Sequence, residues 1–175
     1  GAAAVHIATR YNGLYMVYNV AAAFFAAREL GVDAAHLQPT LDAYVPAGGR
    51  MGRWEIAGRT VEANLAKNPV GFDRQIQSIK TAGGRLCAFF LNDNDADGHD
   101  VSWIYDVDFE RIADTTGLVA FAGGTRAHDM QVRLKYAGID ATIISNVEQA
   151  IGAVGDEAAG DTFYAVANYT AFPPL

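Results

Sequence analysis

RLCAFFL at residues 85–91 and LVAFAGGTRAHDMQVRLKYAGIDATII at residues 118–144 decide the fold of this chain. In the first, Leu86 to Leu91 is a continuous apolar run of strand length, the pattern of a strand buried on both faces. The second repeats that unit with a helix attached. Leu118 to Phe121 reads as a strand, Gly123-Gly124-Thr125 turns into a helix through Tyr136, Gly138 closes it, and Asp140 to Ile144 is another strand. Working outward, Asn68 is an N-cap, Pro69 suits the first helical position, and a helix over 70–80 leads into the first run. Phe109 to Ala113 forms a helical turn, Val147 to Val154 a helix and Thr162 to Ala167 a last strand. This alternation from residue 60 onward, over short connections, predicts a Rossmann-like α/β domain: a mainly parallel sheet with helices on both faces.

Before residue 60 the pattern differs. Arg53 to Ile56 and Val61 to Leu65 read as two strands of a hairpin turning at Ala57-Gly58. From Tyr15 the pattern is helical, with Ala21, Ala22, Phe25, Ala26 and Leu30 on a core face and Gly31 as C-cap. The run from Val17 to Leu30 is interrupted by Asn19, Arg28 and Glu29 and is too short for a bilayer, so it reads as a buried helix. Asp33 caps a second helix carrying Leu37, Leu41 and Tyr44, which stops before Pro46.

A chain of 175 residues with 51% apolar content can build a real core. Its net charge of -7 and pI near 4.9 argue against nucleic acid or an anionic membrane as the main partner, because phosphate binding needs a basic stripe. Cys87 is the one cysteine, so no intrachain disulfide forms and a cytoplasmic home is the simplest inference. Placed mid-strand among Leu and Phe, it reads as a buried structural thiol. Neither GxGxxG nor GxxxxGK[ST] occurs.

In such sheets ligands gather at the carboxyl ends of the strands. Three loops meet that description: Lys67-Asn68-Pro69, the segment after Leu91, and Gly123-Gly124-Thr125-Arg126, where Thr125 and Arg126 could contact an anion at the helix start, although a plain capped turn explains them too. The second is the richest. LNDNDADGHDVSWIYDVDFE at 91–110 holds seven carboxylates and no Lys or Arg, and each charge raises the cost of ionising the next. Asp93-x-Asp95-x-Asp97-Gly98 opens like a calcium loop, but its ninth and twelfth positions are Val101 and Ile104 and its flank is a strand. No metal is therefore assigned. A solvated acidic turn remains an alternative. Against it stands Val101-Ser102-Trp103-Ile104-Tyr105, whose aromatics would anchor the loop to the domain.

Several motifs in order, GLYMVYN at 13–19, Gly49-Arg50, KNPVG at 67–71, the acidic-aromatic loop, GGTRAHDMQVRLKYAGI at 123–139 and Tyr169-Thr170-Ala171, resemble the C-terminal domain of MurT. MurT is the Mur-ligase-like subunit of lipid II isoglutaminyl synthase. The resemblance implies a Mur ligase C-terminal fold over residues 11–175, with 1–10 a cloning remnant or the end of a preceding domain. It implies a complex with the glutaminase subunit GatD that amidates the D-glutamate of lipid II, using ATP with Mg²⁺ and ammonia from glutamine, in the cytoplasm at the inner face of the membrane. The family's P-loop and zinc ribbon are absent from this sequence, so the chain alone is expected to be inactive. A Cys-His glutaminase needs a carboxylate to orient its imidazole. The resemblance implies that this group comes from the acidic loop, at Asp97, which precedes Gly98 and could be turned outward. Asp93, Asp95 and Asp100 compete for the role, although Asp100 could equally cap the following turn.

By the same resemblance Asn19, Arg50, Lys67 and Asn68 lie on the ATP or acyl-phosphate side, where Arg can fork onto phosphate and Lys offsets developing charge. Asn68 could instead only cap its helix, and Asn19 only bond to backbone. Two residues depart from the family pattern there: Met16 stands where relatives carry Asn, and Gly52 where they carry an acid. A further alternative is a docking or cation-binding module that uses the acidic loop without chemistry. His99 is a loop residue, Arg126, Asp129 and Arg133 suit ion pairing on a solvated face, and Asn168-Tyr169-Thr170 is a sequon without meaning in a cytoplasmic chain.

Overall fold

The computed structural model describes residues 5–9, 14–44, 52–155, 158 and 160–172. The chain divides into two compact units, Gly1–Pro46 and Ala47–Leu175. In the first, α1 spans Leu14–Glu29 and α2 spans Leu37–Ala43. Gly31, at φ +84°, ends α1, and the Val32 N–H reaches back to the Ala27 carbonyl at 2.9 Å, a Schellman closure.

Two expectations fail in this unit. Asp33 caps only a 3₁₀ turn, Ala34–His36, and the α-helix begins three residues later. Pro39 explains the delay: an α-helix started at Ala34 would need an N–H from residue 39, whereas in the first turn of α2 that donor is not required. The face of α1 expected to be buried is also open. Phe25 is 66% and Leu30 84% exposed, Ala22 and Ala26 are exposed, and only Ala21 is half-buried. Apolar residues lie all round α1, so no single stripe selects a packing face. The other helix described in its unit has seven residues.

The second unit is the α/β domain. Strands β1 (Gly52–Ile56) and β2 (Arg59–Leu65) form an antiparallel hairpin. Ala57 and Gly58 both take positive φ, +49° and +74°, as a two-residue type I′ turn requires. Helix α3 (Pro69–Thr81) starts at Asn68, whose side chain accepts the Gly71 N–H. It leads to β3 (Leu86–Phe90), and after the acidic loop come α4 (Glu110–Ala113), β4 (Val119–Gly123), α5 (Ala127–Tyr136), β5 (Ala141–Ile143), α6 (Val147–Val154) and β6 (Phe163–Ala167). The sheet order is β1-β2-β6-β3-β4-β5, and every pairing except β1 with β2 is parallel. The loops leaving β2, β6, β3 and β4 therefore emerge along one edge.

Strand β3 lies between β6 and β4 and is buried on both faces. Cys87, Phe89 and Leu91 join a core with Phe72, Ile76, Phe109, Ile112, Met130 and Leu134 from α3, α4, α5 and the residue before α4. Leu86, Ala88 and Phe90 join a second core with Val147, Ala150 and Ile151 of α6. The helices thus cover both faces. Burial pushes the Cys87 thiol up to about 12, consistent with an inert structural side chain.

Arg133, expected on a solvated face, is 3% exposed. Its guanidinium donates to the carbonyls of Ile104 and Val107 and to Glu110, and lies 5.3 Å from the Phe109 ring centre. It thereby ties α5 to the segment that follows the acidic loop. Phe89 is fully buried and meets Phe109 edge to face at 5.1 Å. Phe89→Ala should destabilise the chain by about 3–5 kcal/mol in chemical denaturation with an unchanged m-value; a loss well below 1 kcal/mol would show that this core relaxes around the cavity.

Candidate functional site

Where β3 ends, its ladder is continued by side chains. The Asn92 N–H donates to Asn168 Oδ1 at 2.9 Å, and Asn168 Nδ2 donates back to the Asn92 carbonyl at 2.7 Å. Asn92 Oδ1 accepts the Thr125 N–H at 2.8 Å, so one buried amide links the ends of β3, β6 and β4. The β4 loop comes close because of Gly124: at φ +92°, a Cβ there would sit 2.3 Å from the Leu91 carbonyl oxygen. That carbonyl accepts the Arg126 N–H at 2.9 Å.

The loop acids have separate surroundings. Asp93 accepts the Thr125 hydroxyl at 2.8 Å and Arg126 Nη1 at 3.1 Å, and these donors hold its carboxyl below the usual range, Thr125 contributing most. Arg126 also bonds Asp129 at 2.7 Å, which lowers the Asp129 pKa and raises that of Arg126. Thr125 and Arg126, the candidate anion contacts, are thus directed at carboxylates of their own chain. Asp95 is fully exposed, 3.2 Å from His99 Nε2, while His99 Nδ1 lies 2.9 Å from the Asp93 carbonyl. Asp100 accepts the Ser102 N–H at 2.8 Å, and bonds from Ser102 lower its pKa.

Asp97 differs from all of these. Its N–H and that of Gly98 both bond the Asn94 carbonyl, at 2.8 and 3.2 Å, in a turn that Gly98 completes at φ +83°. The half-buried carboxylate is not simply turned outward. Oδ1 accepts the Thr170 N–H at 2.9 Å and Oδ2 the Thr170 hydroxyl, so two donors just beyond β6 fix its plane. Neither donor was evident in the sequence. The signal available was amide and hydroxyl residues directly after two apolar strands, Asn92 after β3 and Asn168 with Thr170 after β6.

The aromatic anchor is half as expected. Trp103 packs on Phe72, ring centres 5.4 Å apart, but Tyr105 is 53% exposed and meets Tyr136 at 6.3 Å. Lys67 is exposed on the same sheet edge, and Asn68 Oδ1 is committed to its cap at 2.8 Å. Asn19 is an exposed residue of the first unit, and Arg50 lies outside the described residues. Met16 is half-buried on α1. At Gly52 a Cβ would lie 1.6 Å from the Trp54 ring, so an acid there would require Trp54 to move. Among the described residues no three His, Cys, Asp or Glu side chains converge as metal ligands.

A family model described as MurT ligase C-terminal matches residues 65–172. The chain belongs to that family. It is 34% identical over 166 residues to the MurT subunit of lipid II isoglutaminyl synthase (glutamine-hydrolyzing) of Staphylococcus aureus strain COL, covering 93% of this chain and 38% of that subunit. It is 37% identical over 164 residues to the same subunit of Streptococcus pneumoniae R6, covering 91% of this chain and 36% of that one. The chain therefore spans little more than a third of these MurT relatives. Among solved structures, MurF of Acinetobacter baumannii matches with a TM-score of 0.66 at 17% identity, over 91% of this chain and 36% of that one. Folylpolyglutamate synthase of Mycobacterium tuberculosis complexed with ADP matches with a TM-score of 0.62 at 17% identity, over 94% and 39%. The MurT-family domain thus shares its fold with these two proteins.

Asp93 and Asp129 titrate lower in the folded chain than in the unfolded one. Their contribution is full above about pH 4 and is lost as the pH falls through the folded values, where the unfolded chain already holds the protons. Asp93→Asn should therefore lower Tm at neutral pH, and the gap to the unmutated chain should close as the pH falls below about 4. A gap independent of pH would mean that the Arg126 contact contributes through packing alone.

Proposed function

We propose that this chain forms the C-terminal part of the ligase subunit of a lipid II isoglutaminyl synthase, and that it lends Asp97 to a separate glutaminase subunit. In this reading the assembled enzyme hydrolyses glutamine at a Cys-His pair and uses the ammonia, with ATP and Mg²⁺, to amidate the D-glutamate carboxyl of lipid II at the inner face of the membrane. The relatives' names support the reaction class. No described helix is long and apolar enough to cross a membrane.

The observation that carries the Asp97 assignment is its pair of bonds from Thr170. A carboxylate that steadies an imidazole must be ionised, fixed in orientation and still able to accept the far ring N–H. Asp93 is spent on Thr125 and Arg126, Asp100 on Ser102, and Asp95 extends fully exposed into solvent. Asp97 has two of about four acceptor positions filled by a rigid neighbour, which leaves room for a partner's imidazole. Bound there, the imidazole is held in the tautomer that accepts the cysteine proton, and the imidazolium that follows is stabilised by the charge.

Lys67 is exposed beside the β6 loop, and its ammonium fits a contact with nucleotide phosphate or the activated carboxylate. Asn68 retains only its amide N–H₂ for such a role. ATP itself supplies the activation of the lipid II carboxyl.

In a full-length complex, Asp97→Asn should reduce glutamine hydrolysis on the order of 10⁴-fold, the scale of replacing an orienting triad carboxylate by its amide, while the subunits still co-elute on size exclusion. Hydrolysis at the unmutated rate with normal assembly would leave the loop a docking element and refute the assignment.

A further inference from the structure

We infer that Thr170 is the positioning residue for Asp97, and that the carboxamides of Asn92 and Asn94 set the direction of its hydroxyl proton. This rests on the proposed donation of Asp97 to a glutaminase partner. Thr170 Oγ1 has three neighbours: Asn92 Nδ2 at 3.0 Å, Asn94 Nδ2 at 2.7 Å and the Asp97 carboxylate. The orientation of the Asn92 amide is not open. Its oxygen accepts the Thr125 N–H, so its nitrogen must face Thr170. An amide nitrogen only donates, so Asn92 fills one acceptor position of the hydroxyl and Asn94 the other. The single hydroxyl proton then has one place to go, Asp97 Oδ2.

The consequence is a directed chain, from the Thr125 N–H through Asn92 to Thr170 and on to Asp97. Its far end is the hydroxyl's hydrogen bond to Asp97 Oδ2, joined by the Thr170 N–H on the other oxygen. The two contacts come from one residue, so they fix the carboxylate plane as well as its place. The Thr170 backbone is itself tethered: Asn168 is clamped to Asn92, and the Phe172 N–H bonds the Asn168 carbonyl at 3.1 Å. The carboxylate is therefore aimed before any partner arrives, and docking need not order it.

The test uses the full-length subunit in complex with its glutaminase. Thr170→Val keeps the shape and removes the hydroxyl; Thr170→Ser restores it. Thr170→Val should lower kcat for glutamine hydrolysis about 10-fold or more, the scale of one hydrogen bond to a charged group, with KM for glutamine unchanged, and Thr170→Ser should recover most of the loss. In an Asp97→Asn background Thr170→Val should cause no further fall, because its effect runs through the missing charge. An equal fall in both backgrounds means a general structural role and overturns the inference, as does a Thr170→Val complex as fast as the unmutated one when Asp97→Asn is slow. Unimpaired hydrolysis by Asp97→Asn overturns the donation itself. If Thr170→Val does not assemble, Asn94→Ala on an exposed residue replaces it: a fall confined to the Asp97 background supports the relay, and no fall contradicts it.

Discussion

The reciprocal bonds between Asn92 and Asn168 are the constraint on which the site depends. Parallel strands β3 and β6 stop pairing at Phe90 and Ala167, and beyond that point the backbone N–H and carbonyl of Asn92 are met by the Asn168 side chain. Asn92 and Asn168 are 9% and 3% exposed, so water is not available to replace a lost partner. Leaving one such amide unsatisfied costs about 1–3 kcal/mol. Because the same Asn92 side chain also holds Thr125 and Thr170, the ends of three strands are tied to one another. The acidic loop is thereby attached at its base to the central, doubly buried strand of the sheet.

That attachment decides how the acidic loop carries its charge. Asp93 is neutralised by Arg126, which Asp129 shares; Asp108 pairs with Arg111 at 2.8 Å, and Glu110 with the buried Arg133 at 2.8 Å. Asp100 spends its charge on a local turn, and Asp95 stays in water. Asp97 alone combines partial burial, fixed orientation and neutral donors. In the proposed complex a cation beside it would compete with the partner's imidazolium; the Thr170 donors orient the carboxylate without placing a countercharge on it.

Local and distant contacts were not equally legible in the sequence. The hairpin at Ala57-Gly58, the Asn68-Pro69 helix start and the doubly buried β3 follow from residue types a few positions apart, and the structure has them where the pattern put them. The parallel sheet with two covered faces followed from the same alternation. The burial of α1 did not, because a helix apolar all round carries no information about its packing face. Arg133 was misplaced on a solvated face because its partners are carbonyls of a segment 26 to 29 residues away. The bonds that orient Asp97 span 73 residues and those of the asparagine clamp 76. The acids themselves were visible as a cluster, but which of them is held, and by what, depends on the strand order, which brings β6 beside β3.

The most direct measurement is the structure of the full-length subunit bound to the proposed glutaminase partner, read at that partner's catalytic imidazole. An Asp97 carboxylate oxygen is expected about 2.7–3.2 Å from the ring nitrogen remote from the cysteine, with both Thr170 bonds kept. An imidazole paired with Asp93, Asp95 or Asp100, or reached by no carboxylate of this chain, would contradict it.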